Sequence, residues 1–520
     1  MAGMGRWDGA RWSAGVLAQT GLVRPYLPDQ LLGMGLALRR YGLSTAALYA
    51  VGAAQSSRRL ALVDHGGTLS FGQLDDRTSN VAAGLAERGV TEGDRVGVLC
   101  RNHRGFVQAT VGLAKAGADA VLLNTGMAGP QLAQVFAREG ASAIIADEEF
   151  VPAVGDLGPR LLTADIERLA AGPRRTPPSP RRSGGQIILT SGTTGAPKGA
   201  QRGAPQGPGA LLSLLSVVPL RRGDVTLVAA PLFHAWGFVH FALAAALGST
   251  LVLRPRFDPE ATLALIEEHQ VTVMAAVPVM LQRIMDLPPA VRSGYDTSSL
   301  RVAVVSGSAL PGGLATRFMD AFGDVLYNLY GSTEVAWVSV AGPADLRADQ
   351  ATAGRPPRGT VVRLLSPADV EVAPGERGRI FVGNGLHFAG YTGGGSKPVV
   401  DGLMATGDTG RFNDAGLLFV EGRDDDMIVS GGENVFPLEV ENLLLEHPGV
   451  AEVCVVGVSD PQWGQRLRAC VVPRASVTGD ELKEFVRGRL AGYKVPRDVL
   501  FLDELPRNAT GKILRRQLSG

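Results

Sequence analysis

The chain has 520 residues, of which 51 are lysine or arginine and 50 are aspartate or glutamate, so its formal net charge is +1. This balance creates no basic field that would attract nucleic acid, and the hydrophobic content of 45% excludes a disordered chain. A chain of this length exceeds one ordinary hydrophobic core, so we expect at least two domains.

Residues 1–55 are predicted to form an N-terminal helical extension. Its apolar run leads into Arg39 and Arg40 and contains Leu31, Leu32, Met34, Leu36 and Leu38. One interpretation is an interfacial helix that touches lipid, where a fatty substrate resides. The other is a helix packed on the body of its own protein or on a partner subunit. The thin polar face favours packing.

From residue 56 onward, apolar strand patterns alternate with helical patterns, which is typical of α/β layers with largely parallel sheets. Strands are predicted at 95–100, 120–123, 187–189, 225–229, 250–253 and 301–305, and helices at 71–87 and 130–139. Shorter strands at 360–365, 379–382 and 417–420 indicate a smaller β-rich subdomain. We therefore expect one large N-terminal domain over 56–423.

Residues 424–520 are predicted to form a small α+β domain attached by a hinge. Helices are expected at 438–447 and 480–490, and strands at 452–457 and 467–472. The predicted fold class is therefore α/β: a large N-terminal domain of α/β layers with a β-rich subdomain, followed by a small, mobile α+β domain.

The cysteines and apolar runs predict a cytoplasmic protein. Cys100, Cys454 and Cys470 are too few for a disulfide framework, and no CxxC pair indicates a metal site. No run of 18 apolar residues predicts a transmembrane helix, and the first thirty residues lack the pattern of a secretory signal.

The strongest local motif is Leu189-Thr-Ser-Gly-Thr-Thr-Gly-Ala-Pro-Lys-Gly199. Glycines let backbone N–H groups turn toward an anion, hydroxyls add donors, and the lysine supplies a compact positive charge. The order differs from the GxxxxGK[ST] of P-loop proteins. The residues predicted to cradle a phosphate are Thr190, Ser191, Gly192, Thr193, Thr194, Gly195 and Lys198.

This loop resembles the signature of the acyl-adenylate-forming superfamily, which includes acyl-CoA synthetases, peptide-synthetase adenylation domains and beetle luciferases. Further motifs follow in the expected order and extend the resemblance over about residues 60–515. Within this superfamily, the sequence is most similar to the bacterial AMP-forming fatty-acid and acyl-CoA synthetases. The resemblance implies ATP, Mg²⁺ and CoA as substrates and cofactors.

The second motif is Asn328-Leu-Tyr-Gly-Ser-Thr-Glu334, where a carboxylate can hold Mg²⁺ on ATP oxygens. The resemblance implies that Glu334 holds the metal together with Thr190, that Thr333 contacts phosphate, and that Tyr330 stacks on adenine. It adds Gly331 and Ser308 to the ATP site.

The third motif is Ala405-Thr-Gly-Asp408 with Glu421-Gly-Arg423. Aspartate and arginine suit ribose hydroxyls, and the resemblance implies that Asp408 holds the ribose while Arg423 assists. It also implies that the small domain swings about Asp425. The Gly431 and Gly432 loop would then approach the CoA tunnel.

The last motif, Leu505-Pro-Arg-Asn-Ala-Thr-Gly-Lys512, presents a lysine close to a glycine-containing loop. The resemblance implies that Lys512 enters the active site during adenylation. There it would neutralise charge on the α-phosphate and carboxylate oxygens.

The acid-binding pocket is predicted around Pro231-Leu-Phe-His-Ala-Trp-Gly-Phe238. The resemblance assigns a catalytic position at the gate of the thiol tunnel to His234, and an acyl pocket to Phe233, Trp236, Gly237, Phe238, Val277 and Gly307. The set holds no obvious buried charge for an amino group, which favours a fatty or aryl acid. The N-terminal extension favours medium or long chains.

We therefore expect an AMP-forming ligase that converts a carboxylic acid, preferably fatty, and ATP to acyl-AMP and pyrophosphate, and then transfers the acyl group to CoA. A carrier-protein pantetheine is the alternative acceptor, and an aryl acid is the alternative substrate. Luciferase-type light emission and a non-catalytic nucleotide-binding regulator are more distant alternatives. A homodimer is compatible with the resemblance, although no interface pattern predicts it.

Overall fold

The computed structural model describes residues 6–190, 198–202, 209–311, 313–386, 388–423, 428–430, 433–460, 464–508 and 511–519. The chain divides into two compact units. Unit 1 comprises residues 1–276, 286–304 and 385–396, and unit 2 comprises residues 277–285, 305–384 and 397–520. Among the described helices, none has the length and hydropathy needed to cross a membrane.

Unit 1 begins with the helices α1 (Arg6–Thr20), α2 (Pro28–Tyr41) and α3 (Thr45–Gln55). The Ser44 hydroxyl caps α3 by accepting a hydrogen bond from the Ala47 N–H. Tyr49 of α3 is buried between the rings of Phe71 and Phe241, 6.2 and 5.5 Å away between centroids. The predicted extension is therefore helical, and α3 belongs to the core of unit 1.

One sheet of unit 1 has the strand order β12-β11-β9-β10-β1-β2. Strands β1, β10, β9 and β11 run parallel, and β2 returns antiparallel to β1. The strands are β1 (Leu60–Asp64), β2 (Gly67–Ser70), β9 (Val225–Val228), β10 (Thr250–Val252), β11 (Val273–Ala276) and β12 (Val302–Val305).

The other sheet of unit 1 has the order β17-β8-β7-β4-β3-β5-β6. Its strands are β3 (Arg95–Leu99), β4 (Asp119–Leu122), β5 (Ala143–Ala146), β6 (Arg160–Leu162), β7 (Gln186–Thr190), β8 (Lys198–Arg202) and β17 (Phe388–Tyr391). Strands β6, β5, β3, β4 and β7 are parallel. The apolar residues of β3 and β4 are buried, as expected for strands covered on both faces.

Helices connect the strands of unit 1 and cover its sheets. They are α4 (Phe71–Ala86), α5 (Arg104–Ala116), α6 (Gly129–Glu139), α7 (Val151–Val154), α8 (Thr163–Ala171), α9 (Gly209–Leu215), α10 (Ala235–Ala246), α11 (Pro259–His269) and α13 (Pro289–Arg292).

Unit 2 contains a hairpin, a small antiparallel sheet and the helices α12 (Pro278–Met285), α14 (Leu314–Phe322) and α15 (Pro343–Ala348). The hairpin pairs β13 (Leu326–Ser332) with β14 (Ala336–Ala341). The sheet has the order β15-β16-β19-β18, with β20 paired to β19. Its strands are β15 (Val361–Leu365), β16 (Gly378–Gly383), β18 (Val399–Val400), β19 (Leu403–Phe412) and β20 (Leu418–Arg423).

The C-terminal part of unit 2 has its own apolar core beneath a sheet of order β22-β21-β24-β23, with β25 paired parallel to β24. The elements are β21 (Ile428–Ser430), β22 (Glu433–Val435), α16 (Pro437–Leu445), β23 (Val450–Asp460), β24 (Gly464–Pro473), α17 (Gly479–Arg487) and β25 (Asp498–Phe501).

The predicted fold class is confirmed: parallel α/β layers precede shorter antiparallel strands and a final α+β module. The predicted helices and strands lie within a few residues of the observed ones because their apolar periodicity reflects real burial. The domain boundaries at 55 and 423 and the hinge at Asp425 stay predictions.

Candidate active site

In unit 1, the glycine-rich motif lies in the connection between two paired strands. Thr190 ends β7 and Lys198 begins β8, and these two residues are direct partners in the antiparallel ladder. The Thr190 hydroxyl donates to the Lys198 carbonyl over 3.2 Å, which joins the two ends of the connection. Of the predicted phosphate-binding residues, Ser191, Gly192, Thr193, Thr194 and Gly195 lie outside the described residues.

The start of β8 lies among polar side chains that the sequence motifs did not identify. The Lys198 ammonium lies 5.2 Å from the centre of the Tyr391 ring. The Gly199 N–H donates to Glu139 Oε1 over 3.2 Å. A Cβ on Gly199 would lie 2.6 Å from Glu139 Oε2 and 2.7 Å from Thr392 Oγ1. A larger residue at this position would have to displace the carboxylate and hydroxyl groups that approach the backbone.

In unit 2, Glu334 lies in the turn of the β13–β14 hairpin. The Ser332 hydroxyl donates to Glu334 Oε2 over 2.9 Å and accepts from the N–H groups of Glu334 and Val335. A Cβ on Gly331 would lie 2.0 Å from the Ala336 carbonyl oxygen, so only glycine allows the strands to meet there. The Asn328–Glu334 motif thus builds a tight turn that presents a carboxylate.

Tyr330 and Asp408, which are distant in sequence, meet in unit 2. The Tyr330 hydroxyl donates to Asp408 Oδ2 over 2.5 Å. Asp408 is paired in the β19–β20 ladder with Arg423, whose Nη1 lies 3.8 Å from Asp408 Oδ1. The structure therefore brings together the predicted adenine-stacking residue and the two predicted ribose-binding residues.

Burial and nearby cations oppose each other at Asp408. Burial raises the pKa of Asp408, while the Tyr330 hydroxyl, Arg423, Lys512 and Lys397 lower it. Burial, followed by the Asp408 charge, raises the pKa of Tyr330 well above its ordinary value, so this phenol stays protonated and donates. The sequence motifs did not identify Lys397. A Cβ placed on Gly407, the residue before Asp408, would lie 3.3 Å from the Lys397 ammonium.

The loop that precedes Lys512 packs against the predicted acyl-pocket wall within unit 2. Gly511 has a φ of +77°, and a Cβ placed on it would lie 2.3 Å from Val279 Cγ1 and 3.9 Å from Val277 Cγ2. A Cβ on Gly307 would lie 3.6 Å from Val277 Cγ1. The predicted residues Val277, Gly307 and Lys512 therefore belong to one neighbourhood, and Ser308 follows Gly307 directly.

The predicted acyl-pocket segment of unit 1 forms the beginning of α10, with His234 as the residue before its first turn. Trp236 is half-buried, and its indole N–H donates to the Ala276 carbonyl over 2.8 Å. Phe233 and Phe238 are buried in the surrounding core. A Cβ on Gly237 would lie 2.2 Å from the Pro231 carbonyl oxygen, so this glycine is required for packing.

His234 is a neutral imidazole at physiological pH. Burial lowers its pKa to about 4, and its Nε2 is buried without a hydrogen-bond partner among the described residues. The ring lies 4.5 Å from that of Phe233. His240, one helical turn beyond Trp236, is also neutral because burial lowers its pKa to about 3. This part of α10 thus offers aromatic surface and an uncharged polar nitrogen.

The predicted metal ligands fit Mg²⁺ in their chemistry, since a carboxylate and a threonine hydroxyl are hard oxygen donors. Glu334 lies in unit 2 and Thr190 in unit 1. Within the described part of the chain, no group of three His, Cys, Asp or Glu side chains could enclose a metal. A metal held by Glu334 would complete its shell with phosphate and water oxygens, as Mg²⁺ commonly does.

The remaining predicted site residues are Thr333, beside Glu334 in the hairpin turn, and the hinge and CoA-loop residues. Asp425, Gly431 and Gly432 lie outside the described residues.

Comparisons with known proteins match almost the whole chain. A family model described as "AMP-binding enzyme" matches residues 50–392, and one described as "AMP-binding enzyme C-terminal domain" matches residues 439–512. A feruloyl-CoA synthase from Amycolatopsis sp is 38% identical over 492 residues, covering 92% of this chain and 99% of the relative. An indoleacetate–CoA ligase from Aromatoleum aromaticum is 33% identical, covering 86% of this chain and 91% of the relative.

A solved structure with the same fold is that of o-succinylbenzoate coenzyme A synthetase from Bacillus subtilis, in complex with ATP and magnesium ion. It has a TM-score of 0.80 and 28% identity, and the match covers 91% of this chain and 99% of that one.

Proposed function

The chain belongs to the AMP-binding enzyme family, and from this premise we propose that it is an AMP-forming acid–CoA ligase whose acid is aromatic. Family membership confirms the resemblance that the sequence motifs carry. The substrate, the acceptor and the role of each residue below belong to the proposal.

The observation that carries the ligase proposal is the cluster of Tyr330, Asp408 and Arg423, with Lys512 acting on the same carboxylate. The half-buried carboxylate of Asp408 lies next to a phenol and several cations, and it can accept hydrogen bonds from the two hydroxyls of a ribose. A lysine next to that ribose site is suitably placed for a developing negative charge on the adjacent α-phosphate.

In the first half-reaction, the substrate carboxylate attacks the α-phosphorus of ATP in line, forming the C–O–P bond of acyl-AMP as the bond to pyrophosphate breaks. Lys198 and the glycine-rich connection hold the departing phosphates, and Asp408 and Arg423 hold the ribose. Lys512 offsets charge at the reacting oxygens. Glu334 would hold Mg²⁺, which would supply further charge neutralisation on the phosphate oxygens. No protein nucleophile is needed, so these residues act by positioning and electrostatics.

In the second half-reaction, the CoA thiol loses its proton to water and the sulfur attacks the acyl carbon. The bond between the acyl carbon and the phosphate oxygen then breaks, and AMP leaves with that oxygen. The same face then has to admit a thiol in place of Lys512. We assign Asp425 as the pivot about which the C-terminal module swings. Gly431 and Gly432 would then approach the pantetheine of CoA, and His234 would gate the tunnel through which the thiol enters. A hinged change of this kind requires two productive arrangements of the C-terminal module.

An aromatic acid suits the start of α10 better than a fatty acid. The half-buried Trp236 and the neutral, unpartnered Nε2 of His234 offer aromatic contact and a hydrogen bond to a ring substituent. The relatives described above are named for feruloyl, indoleacetate and o-succinylbenzoate groups. A fatty acid–[acyl-carrier-protein] ligase from Streptomyces coeruleorubidus is also similar, at 31% identity. The feruloyl and indoleacetate ligases are more similar, at 38% and 33%, so we replace the fatty-acid preference drawn from the sequence with the aryl alternative.

The test is pyrophosphate release over a panel of acids, each measured with and without CoA. The panel contains ferulate, other hydroxycinnamates, indoleacetate, o-succinylbenzoate, and saturated fatty acids of short, medium and long chain. We expect the highest kcat/KM for an aryl acid, with CoA raising turnover and an aryl-CoA thioester as product. A fatty acid at the top of the panel would overturn the aryl assignment alone. Thioester formation on holo-carrier protein but not on CoA would overturn the acceptor.

If no acid releases pyrophosphate while ATP still binds, the ligase proposal fails and the nucleotide-binding regulator becomes the better account. The presence of Lys198, Glu334, Asp408 and Lys512 together argues against a regulator, because a protein that only binds nucleotide has no use for the whole set.

A substitution at Gly511 tests the arrangement of the Lys512 loop. In Gly511→Ala, the added methyl meets Val279 and the residue must keep a positive φ, so the loop is expected to shift. A displacement of about 1 Å lowers such a rate by about 100-fold, and we expect that loss in adenylation, measured by ATP–pyrophosphate exchange. Thioester formation from supplied acyl-AMP is expected to stay near the wild-type rate.

The matched control is Gly375→Ala, because Gly375 also has a positive φ but has nothing within 4 Å of the added methyl. Equal losses in the two variants would show that general backbone strain, rather than contact with Val279, causes the effect.

A further inference from the structure

Helix α2 turns its large apolar side chains toward solvent. Leu27, Leu31, Leu32, Leu36 and Leu38, called here the leucine face, are between 43% and 65% exposed. Val23, just before the helix, is 67% exposed. Several large apolar side chains exposed on one helix indicate an interaction site more strongly than single scattered ones do.

The opposite side of α2 is anchored by small and polar groups. Ala37 and Tyr41 are buried, a Cβ on Gly33 would lie 3.0 Å from the Ala54 Cβ, and the Gln30 amide donates to the Gln55 carbonyl over 2.8 Å. The orientation of the helix is therefore held by α3. The leucines of α2 are exposed because its small residues, which allow the two helices to approach closely, face α3.

A group of arginines adjoins the beginning of the leucine face. Between α1 and α2 the chain is extended and alternates: Val23 and Leu27 point outward, while Arg24 and Tyr26 are half-buried. The Arg24 guanidinium lies 4.7 Å from the centre of the Tyr26 ring, and the Tyr26 side chain is hydrogen-bonded to Arg222. Arg24 is three residues from Leu27, so the arginines adjoin the leucine face along the chain.

Arg24, Arg59 and Arg222 form what we call the arginine cluster. The pKa of Arg59 is lowered by burial and by the charges of Arg222 and Arg24, and the pKa of Arg222 is lowered by burial and by Arg24. The contacts of the backbone agree with this: the Arg222 N–H donates to the Thr20 carbonyl, close to Arg24 in the chain, over 2.7 Å. A Cβ on Gly223, the residue after Arg222, would lie 1.9 Å from Arg59 Nη2.

The structure describes no acidic partner for these three arginines. The Nε atoms of Arg24 and Arg222 are buried and, among the described residues, have no hydrogen-bond partner. Asp224, the nearest acid in sequence to Arg222, is instead paired with Arg301 at 2.8 Å. Asp29, in the first turn of α2, is exposed. The cluster therefore has donors and positive charge that are not neutralised within the described part of unit 1.

We propose that the leucine face and the arginine cluster form one docking surface for a bilayer that contains anionic phospholipids. The leucines would enter the boundary between headgroups and acyl chains, while the guanidinium groups bind lipid phosphates. An anionic bilayer supplies both an apolar layer and a layer of negative charge, which is the pairing this surface presents.

A second copy of the chain suits the surface less well. A two-fold interface places the same patch on both subunits, so it would add a second arginine cluster and supply no negative charge for either one. The docking proposal concerns attachment only, and it does not depend on which acid the enzyme activates.

Flotation of the full-length protein with vesicles tests the proposal. We expect it to float with vesicles of phosphatidylcholine mixed with phosphatidylglycerol, and about 100-fold less with phosphatidylcholine alone, because each of the three arginines near an anionic surface contributes roughly a five-fold gain. High salt is expected to reduce the binding.

Two variants separate the parts of the surface. Leu32→Ser/Leu36→Ser is expected to weaken binding more than ten-fold by removing apolar insertion, and Arg24→Gln/Arg222→Gln is expected to abolish the preference for anionic vesicles. Controls are Val370→Ser, an equally exposed apolar residue of unit 2, and the exposed Arg474→Gln. Both should float like the wild type, and all variants should keep the wild-type rate with a soluble acid, which shows that they are folded.

Three results would overturn the proposal: no flotation of the wild type with anionic vesicles, equal flotation of the leucine variant and the wild type, or a dimer that becomes monomeric in the leucine variant without any vesicle binding. The last result would assign the leucine face to a second copy of the chain.

Discussion

Lys512→Ala is expected to lower the rate of adenylation by about 100- to 1,000-fold, the loss typical when one charge-stabilising group is removed from a reacting centre. The physical reason is the position of its loop, where Gly511 lies against Val279 and the Lys512 charge acts on Asp408. The variant loses the cation that would offset charge building on the α-phosphate. In the proposed hinged movement, Lys512 leaves the site before the CoA thiol attacks, so the lysine is not needed in that step.

The two half-reactions distinguish this role from a structural one. Adenylation is measured by ATP–pyrophosphate exchange, and thioester formation is measured from supplied acyl-AMP and CoA. We expect only the first to fall. Lys483→Ala serves as the control, because Lys483 is a surface lysine ion-paired with Asp480, and it should affect neither rate. A parallel loss in both half-reactions of Lys512→Ala would show that the lysine supports the C-terminal module instead.

Glu334→Gln is expected to lower kcat for adenylation by about 100- to 1,000-fold and to raise the Mg²⁺ concentration needed for half-maximal activity. The substitution removes the negative charge but keeps an oxygen that accepts from the Ser332 hydroxyl, so the hairpin turn should persist. A Mg²⁺ titration of the pyrophosphate-release rate checks the result, and the melting temperature should stay within a few degrees of the wild type.

Glu376→Gln is the matched control, because Glu376 also closes a tight turn of unit 2, where its carboxylate accepts from the Ala373 N–H over 3.0 Å. It should leave the Mg²⁺ requirement unchanged. If Glu334→Gln needs no more Mg²⁺ than the wild type, the metal-binding role is wrong, whatever the loss in rate.

Parts of the candidate site were predictable because the motifs encode local backbone geometry. The glycine-rich motif predicts a connection after a strand, and Thr190 and Lys198 do close such a connection. The Asn328–Glu334 motif predicts a tight turn carrying a carboxylate, and Ser332 and Gly331 supply its hydrogen bonds and its close approach. In each case the residues that build the turn are also the motif residues.

Other parts depend on contacts between segments that no local pattern connects. Spacing along the chain does not indicate that the Tyr330 hydroxyl reaches Asp408, or that Gly511 meets Val279. The pocket prediction at α10 named residues of the right type, but type does not distinguish a half-buried Trp236 from a buried Phe238. Burial depends on which neighbours cover a side chain, and aromatic residues serve equally in a core and in a pocket.

The N-terminal extension shows the same division. Its composition predicts helices, and the structure confirms them. The thin polar face favoured a helix packed on the body of its own protein, and α2 does pack against α3 through Gly33, Ala37 and Tyr41. The pattern did not predict that the leucines would remain exposed. The arginine cluster is equally invisible in the sequence, because Arg24, Arg59 and Arg222 come from separate segments.

By itself, the sequence determined the α/β class, the order of the elements and the membership of the AMP-binding enzyme family, since apolar periodicity and glycine-rich turns are properties of short segments. Only the tertiary structure decided which charged groups surround Asp408, which wall the Lys512 loop touches and which face of α2 is exposed. These features arise from packing between segments distant along the chain, where shape and burial determine which side chains meet.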